Sequence, residues 1–301
     1  MKYLIYLCTL FTCFSNYAQP PITINDNICE HSFAQIPKRV IALRWPLAEN
    51  LLELGITPLA IADPDDYKTW VVTPQLPDEV INAGTRQAPN IELIAKLKPD
   101  VILVGDEQAH LIDKLNSIAP VLYFQGFDKN HNNVATSKQI FMTLASLFGK
   151  TAQAEQRIKQ MYTRIAELNL QLDQHFTKNR PPATAIRFQS KAVALVFGDN
   201  SMPQYALHQL GFNNALAQPT SRWGVTQQKI IQLGKIKQGI VIYFKPFTAQ
   251  NSLFNSPLWK AMPFVQTGHF AAAASTWSNG GYISIEYLAQ SLTDALLMVE
   301  P

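Results

Sequence analysis

Short apolar runs alternate along the first half of the chain with longer segments in which apolar residues recur every three or four positions. The runs that predict buried strands are Val40–Leu43, Leu59–Ala62, Val101–Val104 and Val121–Phe124. The segments with helical spacing are Pro46–Leu54, Ile91–Leu97 and Leu111–Ser117. Strands and helices in alternation predict a parallel sheet with helices on both of its faces.

The second half of the chain repeats this plan. Ile91–Val104 aligns with Ile230–Tyr243 without a gap, and Glu53–Ile56 resembles Gln209–Phe212 in the same order. Chance similarity between two generic α/β units is one explanation. Two matches in the same order favour a second lobe built like the first.

One long helical pattern separates the two halves. Its apolar stripe consists of Ile158, Tyr162, Ile165, Asn169, Leu172 and Phe176, widened by Met161 and Leu168. Thr151 is a suitable N-cap, and Pro181-Pro182 prevents the helix from continuing. We predict an N-terminal lobe of residues 19–150, a linker helix of residues 151–178 that is about 40 Å long, and a C-terminal lobe of residues 179–301. The fold class is α/β: two Rossmann-like lobes with parallel sheets, one linker helix, and a ligand cleft between the lobes.

The first eighteen residues have the pattern of a cleavable signal peptide. Lys2 provides the positive charge, and the uncharged stretch Tyr3–Phe14 is too short to cross a bilayer. A buried N-terminal helix is the alternative. Removal of residues 1–18 would leave Cys29 as the single cysteine, which can form neither an internal disulfide nor a thiolate cluster.

Net charge, motifs and histidine spacing limit the classes of function that the chain can have. The formal net charge of the 301 residues is +3 and no run of Lys or Arg occurs, so nothing indicates nucleic acid as a partner. No nucleophile elbow, phosphate-binding glycine loop or His-Glu-x-x-His motif is present, which favours a protein that is not an enzyme. The six histidines are scattered, so we predict no bound metal and no cofactor.

The tryptophans fall mostly where a parallel sheet opens its ligand edge. Trp45 follows the first strand, and Trp70 lies in a predicted loop after the second. Trp223 precedes the repeated helix of the second lobe, and Trp277 lies in a loop of small residues. Trp259 has the surroundings of a core residue instead. Four indoles at the cleft edge indicate a site with large apolar contacts, although each could also be a packing residue.

Two arginines accompany these tryptophans. Arg86 lies just before the helix that Asn90 can cap, and Arg222 precedes Trp223. The internal repeat predicts that the Arg86 loop and the Trp223 loop face each other across the cleft. Guanidinium groups supply fixed donors for anionic or carbonyl oxygens, but Arg86 could also brace its own loop.

At these residues the chain resembles the ferric hydroxamate (ferrichrome-type) periplasmic binding proteins, the helical-linker class of substrate-binding proteins of ABC importers. The resemblance extends from about Arg39 to about Tyr287. The stretches that carry it are Arg39–Trp45, Tyr67–Val71, Gly84–Leu93, Leu195–Ser201, Trp223-Gly224 and Pro257–Val265.

The resemblance implies how a ferric siderophore would be held. Arg86 would contact the iron-bound hydroxamate oxygens. The pocket would be shallow and mostly apolar, lined by Trp45, Trp70, Trp223 and Trp277, with Phe188 as a further apolar residue and Ser221 as a polar one. The chelate itself satisfies Fe(III), so the protein would recognise the outside of the ligand.

The sequence departs from the family pattern at residues that would affect which ligand charge the site accepts. The loop Gly105–Ala109 lacks the tyrosine that family members use there, and Arg44 and Arg222 stand where a relative has an acid and an aromatic. If both reach the cleft, Arg44, Arg86 and Arg222 would form a cationic cluster suited to a free carboxylate, as in a citrate-hydroxamate siderophore. The alternative is that Arg44 and Arg222 point to solvent.

The resemblance also implies the partner. Family members are periplasmic and dock acidic residues of each lobe onto basic residues of an inner-membrane ABC permease. Glu92 and Asp113 are the first-lobe candidates, whereas residues 227–231 of the second lobe contain no acid. We expect a monomer.

Three other functions stay open, one of which is a surface adhesin or sensor that has kept the fold and lost ligand binding. A haem or cobalamin carrier could have this architecture, and haem would require an axial ligand such as Tyr67 or Tyr282. An exported α/β enzyme would require a nucleophile and a base that meet in the cleft.

Overall fold

The structure, a computed structural model, describes residues 21–176 and 180–301. The predicted signal peptide and the last residues of the predicted linker lie outside the described residues. The described chain begins with an antiparallel hairpin of β1 (Ile22–Asn25) and β2 (Glu30–Phe33).

The first lobe contains a five-stranded sheet in which every neighbouring pair is parallel. Its strands are β3 (Val40–Ala42), β4 (Ala60–Ile61), β5 (Ile81–Asn82), β6 (Val101–Val104) and β7 (Val121–Tyr123), in the order β5-β4-β3-β6-β7. Its helices are α1 (Trp45–Glu53), α2 (Pro64–Trp70), α3 (Ile91–Leu97), α4 (Ile112–Asn116) and α5 (Asn133–Leu147).

Local signals account for several of these elements. Asn90 caps α3 by accepting a hydrogen bond from the amide of Leu93 at 3.0 Å, as its position predicts. Trp70 was predicted in a loop, but it ends α2. Pro64 occupies the first turn of that helix, and Asp65 and Asp66 favour the positive end of its dipole.

The second lobe contains a mixed five-stranded sheet. Its strands are β8 (Ala183–Phe188), β9 (Val193–Phe197), β10 (Val225–Lys229), β11 (Ile240–Phe244) and β12 (Phe270–Ala273), in the order β10-β9-β8-β11-β12. Strands β8, β11 and β12 are parallel, whereas β9 and β10 run antiparallel to their neighbours. Its helices are α7 (Met202–Gln209), α8 (Gln250–Phe254), α9 (Pro257–Lys260), α10 (Pro263–Gln266) and α11 (Ser284–Leu296).

The predicted fold class is confirmed: two α/β lobes with parallel strands are joined by one long helix. The internal repeat holds for the strands, because β6 and β11 each lie within the parallel part of their sheets. It does not hold for the helix before them, since residues 230–235 form a 3₁₀ turn where α3 is an α-helix. Gly234 stands where α3 has Ala95, and glycine is a much weaker helix former.

Helix α6 (Thr151–Phe176) packs against α5 of the first lobe and α11 of the second. Its buried stripe includes Met161, Ile165 and Leu168. Arg157 connects both lobes to this helix, because its guanidinium lies 2.8 Å from Glu53 of α1 and 2.6 Å from Glu286 of α11. The inner faces of both sheets belong to one hydrophobic core that includes this stripe. The lobes are therefore packed together rather than merely tethered.

Across residues 21–176 and 180–301, no helix combines the length and apolar content required to span a membrane.

Candidate functional site

A cavity of about 370 Å³ opens between the two lobes, within the size range of small-molecule sites. The first lobe contributes Arg44, Pro46, Arg86 and Glu107 to its wall, and the second contributes Leu195, Phe197, Trp223, Val225, Trp277, Ser278 and Asn279. The Arg86 loop and the Trp223 turn therefore do share one cleft.

Arg86 is held by a carboxylate beneath it and an indole beside it. Asp63 Oδ2 accepts hydrogen bonds from the Arg86 backbone amide at 3.0 Å and from its Nε at 2.9 Å. The guanidinium carbon lies 3.6 Å from the ring centroid of Trp45 and 5.9 Å from that of Trp277. Within the described residues, neither terminal nitrogen of Arg86 makes a hydrogen bond to protein, so both remain available to a ligand.

The backbone around Arg86 is fixed by tight local contacts. Gly84 has a φ of +93°, and a Cβ there would lie 2.8 Å from the amide nitrogen of Asn90, so the turn requires glycine. The Nε2 of the buried residue Gln108 donates to the Arg86 carbonyl at 2.6 Å. The arginine is thus positioned before any ligand arrives.

Arg44 also reaches the cavity and is 9% exposed. Its guanidinium lies 3.5 Å from Glu107 and 5.6 Å from the ring centroid of Trp223. Burial lowers its pKa, while Glu107 and Asp106 oppose that shift. A Cβ on Gly105 would lie 2.9 Å from the Arg44 Cγ, so the short Gly105–Ala109 loop leaves room for this side chain.

Arg222 lies at the exposed rim, where its Nη2 is 2.7 Å from Asp106 Oδ2. Asp106 Oδ1 accepts a hydrogen bond from the Tyr123 hydroxyl at 2.7 Å. Burial and this hydrogen bond raise the pKa of Tyr123 to about 12. The two arginines differ in position. Arg44 points into the cavity, whereas the Arg222 side chain is about half exposed to solvent.

Each arginine of the predicted cationic cluster has its own carboxylate. Three guanidinium groups face Asp63, Asp106 and Glu107, so the formal charge of the six groups is zero. The cluster exists as a group of neighbours, but it is charge-balanced without a ligand.

The predicted tryptophans occupy different layers. Trp223 and Trp277 line the cavity. Trp45 is 1% exposed, donates from Nε1 to the Ala62 carbonyl at 3.0 Å, and meets Trp277 edge-on at 4.9 Å. It therefore packs against Arg86 without lining the cavity. Trp259 is 1% exposed in the outer core of the second lobe, as its sequence context predicted.

The turn that carries Trp223 is held from the first lobe by Asn133. This buried side chain donates from Nδ2 to the carbonyls of Asn200 at 3.0 Å and Arg222 at 3.1 Å. Phe127 of the first lobe packs against Trp223 at 5.2 Å. Contacts between the lobes thus set the position of one cavity wall.

Trp70 lies beside a buried arginine rather than in the cavity wall. The guanidinium carbon of Arg187 on β8 is 5.4 Å from the Trp70 ring centroid, and its Nη2 donates to the Thr276 carbonyl at 2.9 Å. Within the described residues, Nε and Nη1 of Arg187 are buried without a partner and no carboxylate lies nearby. Burial lowers its pKa to about 10.

Phe188 and Ser221 are not brought to the cavity wall. Phe188 projects to the outer face of its sheet, where it stacks on Phe247 at 4.5 Å. Ser221 closes its own turn by donating from Oγ to the Val225 carbonyl at 2.7 Å. A strand alternates its two faces, so the neighbour of Phe188 that faces inward is Arg187.

The two proposed docking acids are exposed. Glu92 lies in the first turn of α3 and Asp113 in the first turn of α4. Neither forms an ion pair with another described residue.

Sequence reasoning missed Asp63, Asn133 and Arg187. Asp63 follows the strand Leu59–Ala62, so the rule that selected Trp45 could have found it. Arg187 interrupts an apolar strand, which is a visible signal of a buried charge. Nothing in the sequence marks Asn133.

The tyrosines considered as haem ligands face away from the cavity. Tyr67 is fully buried and donates to the Pro74 carbonyl at 2.9 Å. Tyr282 is 1% exposed, and its hydroxyl lies 2.8 Å from that of Tyr162. Neither can reach an iron in the cleft without repacking of the core.

Two α/β lobes bridged by one helix, with an arginine and two indoles converging on the cleft, define a ligand-capturing protein of the helical-linker class. The chain belongs to the periplasmic binding protein family, whose model matches residues 40–276.

Two relatives and one crystal structure of this class are similar to the chain over most of its length. The iron(3+)-hydroxamate-binding protein FhuD of Escherichia coli (strain K12) is 31% identical over 268 residues, 88% of this chain and 89% of that protein. The Fe(3+) dicitrate-binding periplasmic protein FecB of the same organism is 24% identical over 276 residues, 85% of this chain and 83% of that protein. The crystal structure of the siderophore-binding protein FhuD from Vibrio cholerae with Fe3+-Desferal is similar with a TM-score of 0.86 and 42% identity, covering 88% of this chain and 99% of that one. The resemblance inferred from the sequence is confirmed.

Proposed function

We propose that the chain captures a ferric hydroxamate siderophore in the periplasm and delivers it to an ABC permease in the inner membrane. The observation that carries this proposal is Arg86, whose two terminal nitrogens bond no other described residue while Asp63 and Trp45 fix its position. Such a guanidinium can donate to the iron-bound oxygens of a chelate without displacing them. Trp223 and Trp277 would cover the carbon scaffold.

We propose recognition without bond-making. The cavity wall contains one serine, Ser278, and one acid, Glu107, and that acid is paired with Arg44. A histidine or cysteine is not among these lining residues, so the wall offers no nucleophile–base pair of the usual kinds. Transport relatives support the same conclusion.

The ligand in this proposal carries no net charge that the protein must neutralise. Asp63, Asp106 and Glu107 already balance Arg44, Arg86 and Arg222. A siderophore with a free carboxylate is the second candidate, and Arg187 favours it. Its Nε and Nη1 are buried close to Trp70 and the Trp277 loop, and no carboxylate of the described chain pairs with it.

Titration of intrinsic tryptophan fluorescence tests the proposal. Ferrichrome, a ferric citrate-hydroxamate, ferric citrate, haem and cobalamin are added separately to wild type and to Arg86→Ala. Saturable quenching by a ferric hydroxamate that weakens at least tenfold in Arg86→Ala is expected. Arg164→Ala is the matched control, because Arg164 is an exposed arginine of α6 paired with Glu167.

The same titration can contradict the proposal. Equal affinity of Arg86→Ala and wild type would remove Arg86 from the site. Quenching by haem or cobalamin but not by ferric hydroxamates would assign the cleft to another cargo. If the ferric citrate-hydroxamate binds more tightly than ferrichrome and Arg187→Gln removes that difference, the ligand with a free carboxylate is favoured.

We further propose that Glu92 and Asp113 contribute to permease docking. Both are exposed and neither is engaged by another described residue. In cells that lack the chromosomal copy, Glu92→Gln/Asp113→Asn should reduce uptake of the ⁵⁵Fe-loaded siderophore while leaving its affinity unchanged. Wild-type uptake by this variant would place docking elsewhere.

A further inference from the structure

The turn of the β1–β2 hairpin gathers a carboxylate, a thiol and an imidazole that do not line the ligand cavity. The Nε2 of His31 lies 2.9 Å from Asp26 Oδ2 and 3.4 Å from Cys29 Sγ. Ligand atoms of all three residues lie within 4.8 Å of one another. His31 is in β2 and Cys29 directly precedes that strand, so the two residues are two positions apart and their side chains project to the same side.

Asp26 is fixed before any ion arrives. Its Oδ1 accepts the amides of Ile28 at 2.7 Å and Cys29 at 2.8 Å, and its Oδ2 accepts the amide of Tyr123 at 2.9 Å. The side chain is 1% exposed. The amide of Asn27 also donates to the Tyr123 carbonyl at 3.1 Å. The turn is therefore tied to the edge strand β7.

We propose that Asp26, Cys29 and His31 form a zinc site. A tetrahedral ion with ordinary zinc bond lengths separates nitrogen from oxygen by about 3.4 Å and nitrogen from sulfur by about 3.6 Å. The observed separations are within about 0.5 Å of both values, and the third pair of ligand atoms, on Asp26 and Cys29, lies within 4.8 Å. Cys29 is exposed, so water can occupy the fourth position.

The set of donors selects the ion. Thiolate and imidazole favour zinc over magnesium or calcium, which prefer oxygen ligands. The Cys29 thiol releases its proton on binding, and the His31 Nε2 must be unprotonated. A bound ion would also protect Cys29 from alkylation and oxidation, because the thiolate lone pair that reacts in both would be donated to the ion.

Cobalt absorption provides the direct test. The full chain carries Cys8→Ser and Cys13→Ser, so that Cys29 is its single thiol. Reduced protein is titrated with Co²⁺ and then with Zn²⁺. We expect one Co²⁺ per chain, a thiolate-to-Co²⁺ charge-transfer band, and displacement of that band by one equivalent of Zn²⁺. Zn²⁺ should also slow alkylation of Cys29 at least tenfold.

Variants assign the ligands. Cys29→Ser should abolish the charge-transfer band, and His31→Gln should weaken Co²⁺ binding at least tenfold, with unchanged ferric siderophore binding as the control for folding. His208→Gln removes an exposed histidine of α7 and should change nothing. Absence of the band in the parent protein, or equal Co²⁺ binding by His31→Gln, would overturn the site. Co²⁺ bound without a thiolate band would place the ion elsewhere and would equally refute it.

Discussion

Replacing Glu49 by glutamine should remove a pH dependence that arises where the lobes meet. Glu49 is on α1 and is 1% exposed. Its Oε2 accepts the amide of Gly281 at 3.2 Å and the Ser284 hydroxyl of the second lobe, while Oε1 has no partner among the described residues. Burial raises the pKa of Glu49 to about 8, although the hydrogen bonds from Ser284 and Gly281 act in the opposite direction.

The sign and size of the effect follow from proton linkage. The folded chain keeps a proton on Glu49 that the unfolded chain releases near pH 4.5, so stability is greatest below that pH. It falls as pH rises from 4.5 to 8 and is constant above. Each pH unit in this interval changes the free energy of unfolding by about 1.4 kcal/mol, so wild type should lose about 3 to 4 kcal/mol between pH 5 and pH 8.

Glutamine has the shape of the protonated acid and keeps an acceptor for Gly281 and Ser284. The difference in unfolding free energy between Glu49→Gln and wild type should therefore grow with pH and reach about 4 kcal/mol in favour of the variant at pH 8. Urea unfolding followed by tryptophan fluorescence at pH 5, 6, 7 and 8 measures it. Glu167→Gln, at an exposed position of α6, is the matched control. A difference that does not change with pH, or a variant less stable than wild type at pH 8, would refute the reasoning.

Three further predictions concern the cleft. Arg187→Met should leave the unfolding free energy of the ligand-free protein unchanged or raise it by about 1 kcal/mol, because it removes a largely buried charge that no carboxylate of the described residues balances; a loss above 2 kcal/mol in urea unfolding would contradict this. Asn133→Ala should cost about 2 to 3 kcal/mol, since its buried amide bonds the turn of Trp223, and calorimetry that shows an unchanged Tm would argue otherwise. Asp63→Asn should weaken ferric hydroxamate binding about tenfold by releasing Arg86, so unchanged fluorescence titrations would show that the carboxylate does not position the arginine.

Lobe closure should be small. Helix α6 packs on both lobes, and Arg157 bonds Glu53 and Glu286 across it. A helix has no soft hinge to absorb a large rotation. The shared hydrophobic core also opposes separation of the lobes, because an opening would expose apolar surface to water.

Sequence patterns that span only a few neighbouring residues were sufficient to predict much of the fold. The buried strands of the first lobe, the α3 cap at Asn90 and the stripe of α6 follow from apolar spacing and capping chemistry, which act over a few residues. The internal repeat predicted that the Arg86 loop and the Trp223 loop face each other across one cleft, and both residues line the cavity.

Tertiary structure decided what the site residues contact. Residue identity did not show that β9 and β10 run antiparallel, nor that Phe188 faces the outer core while Arg187 faces inward. It also did not show that Asp63, Asp106 and Glu107 balance the three arginines. The direction of a side chain depends on which face of its strand another element covers, and the charge of a site depends on partners distant in sequence. Both are set only by tertiary packing, within each lobe for Asp63, Glu107 and Phe188 and between the lobes for Asp106 and Arg222.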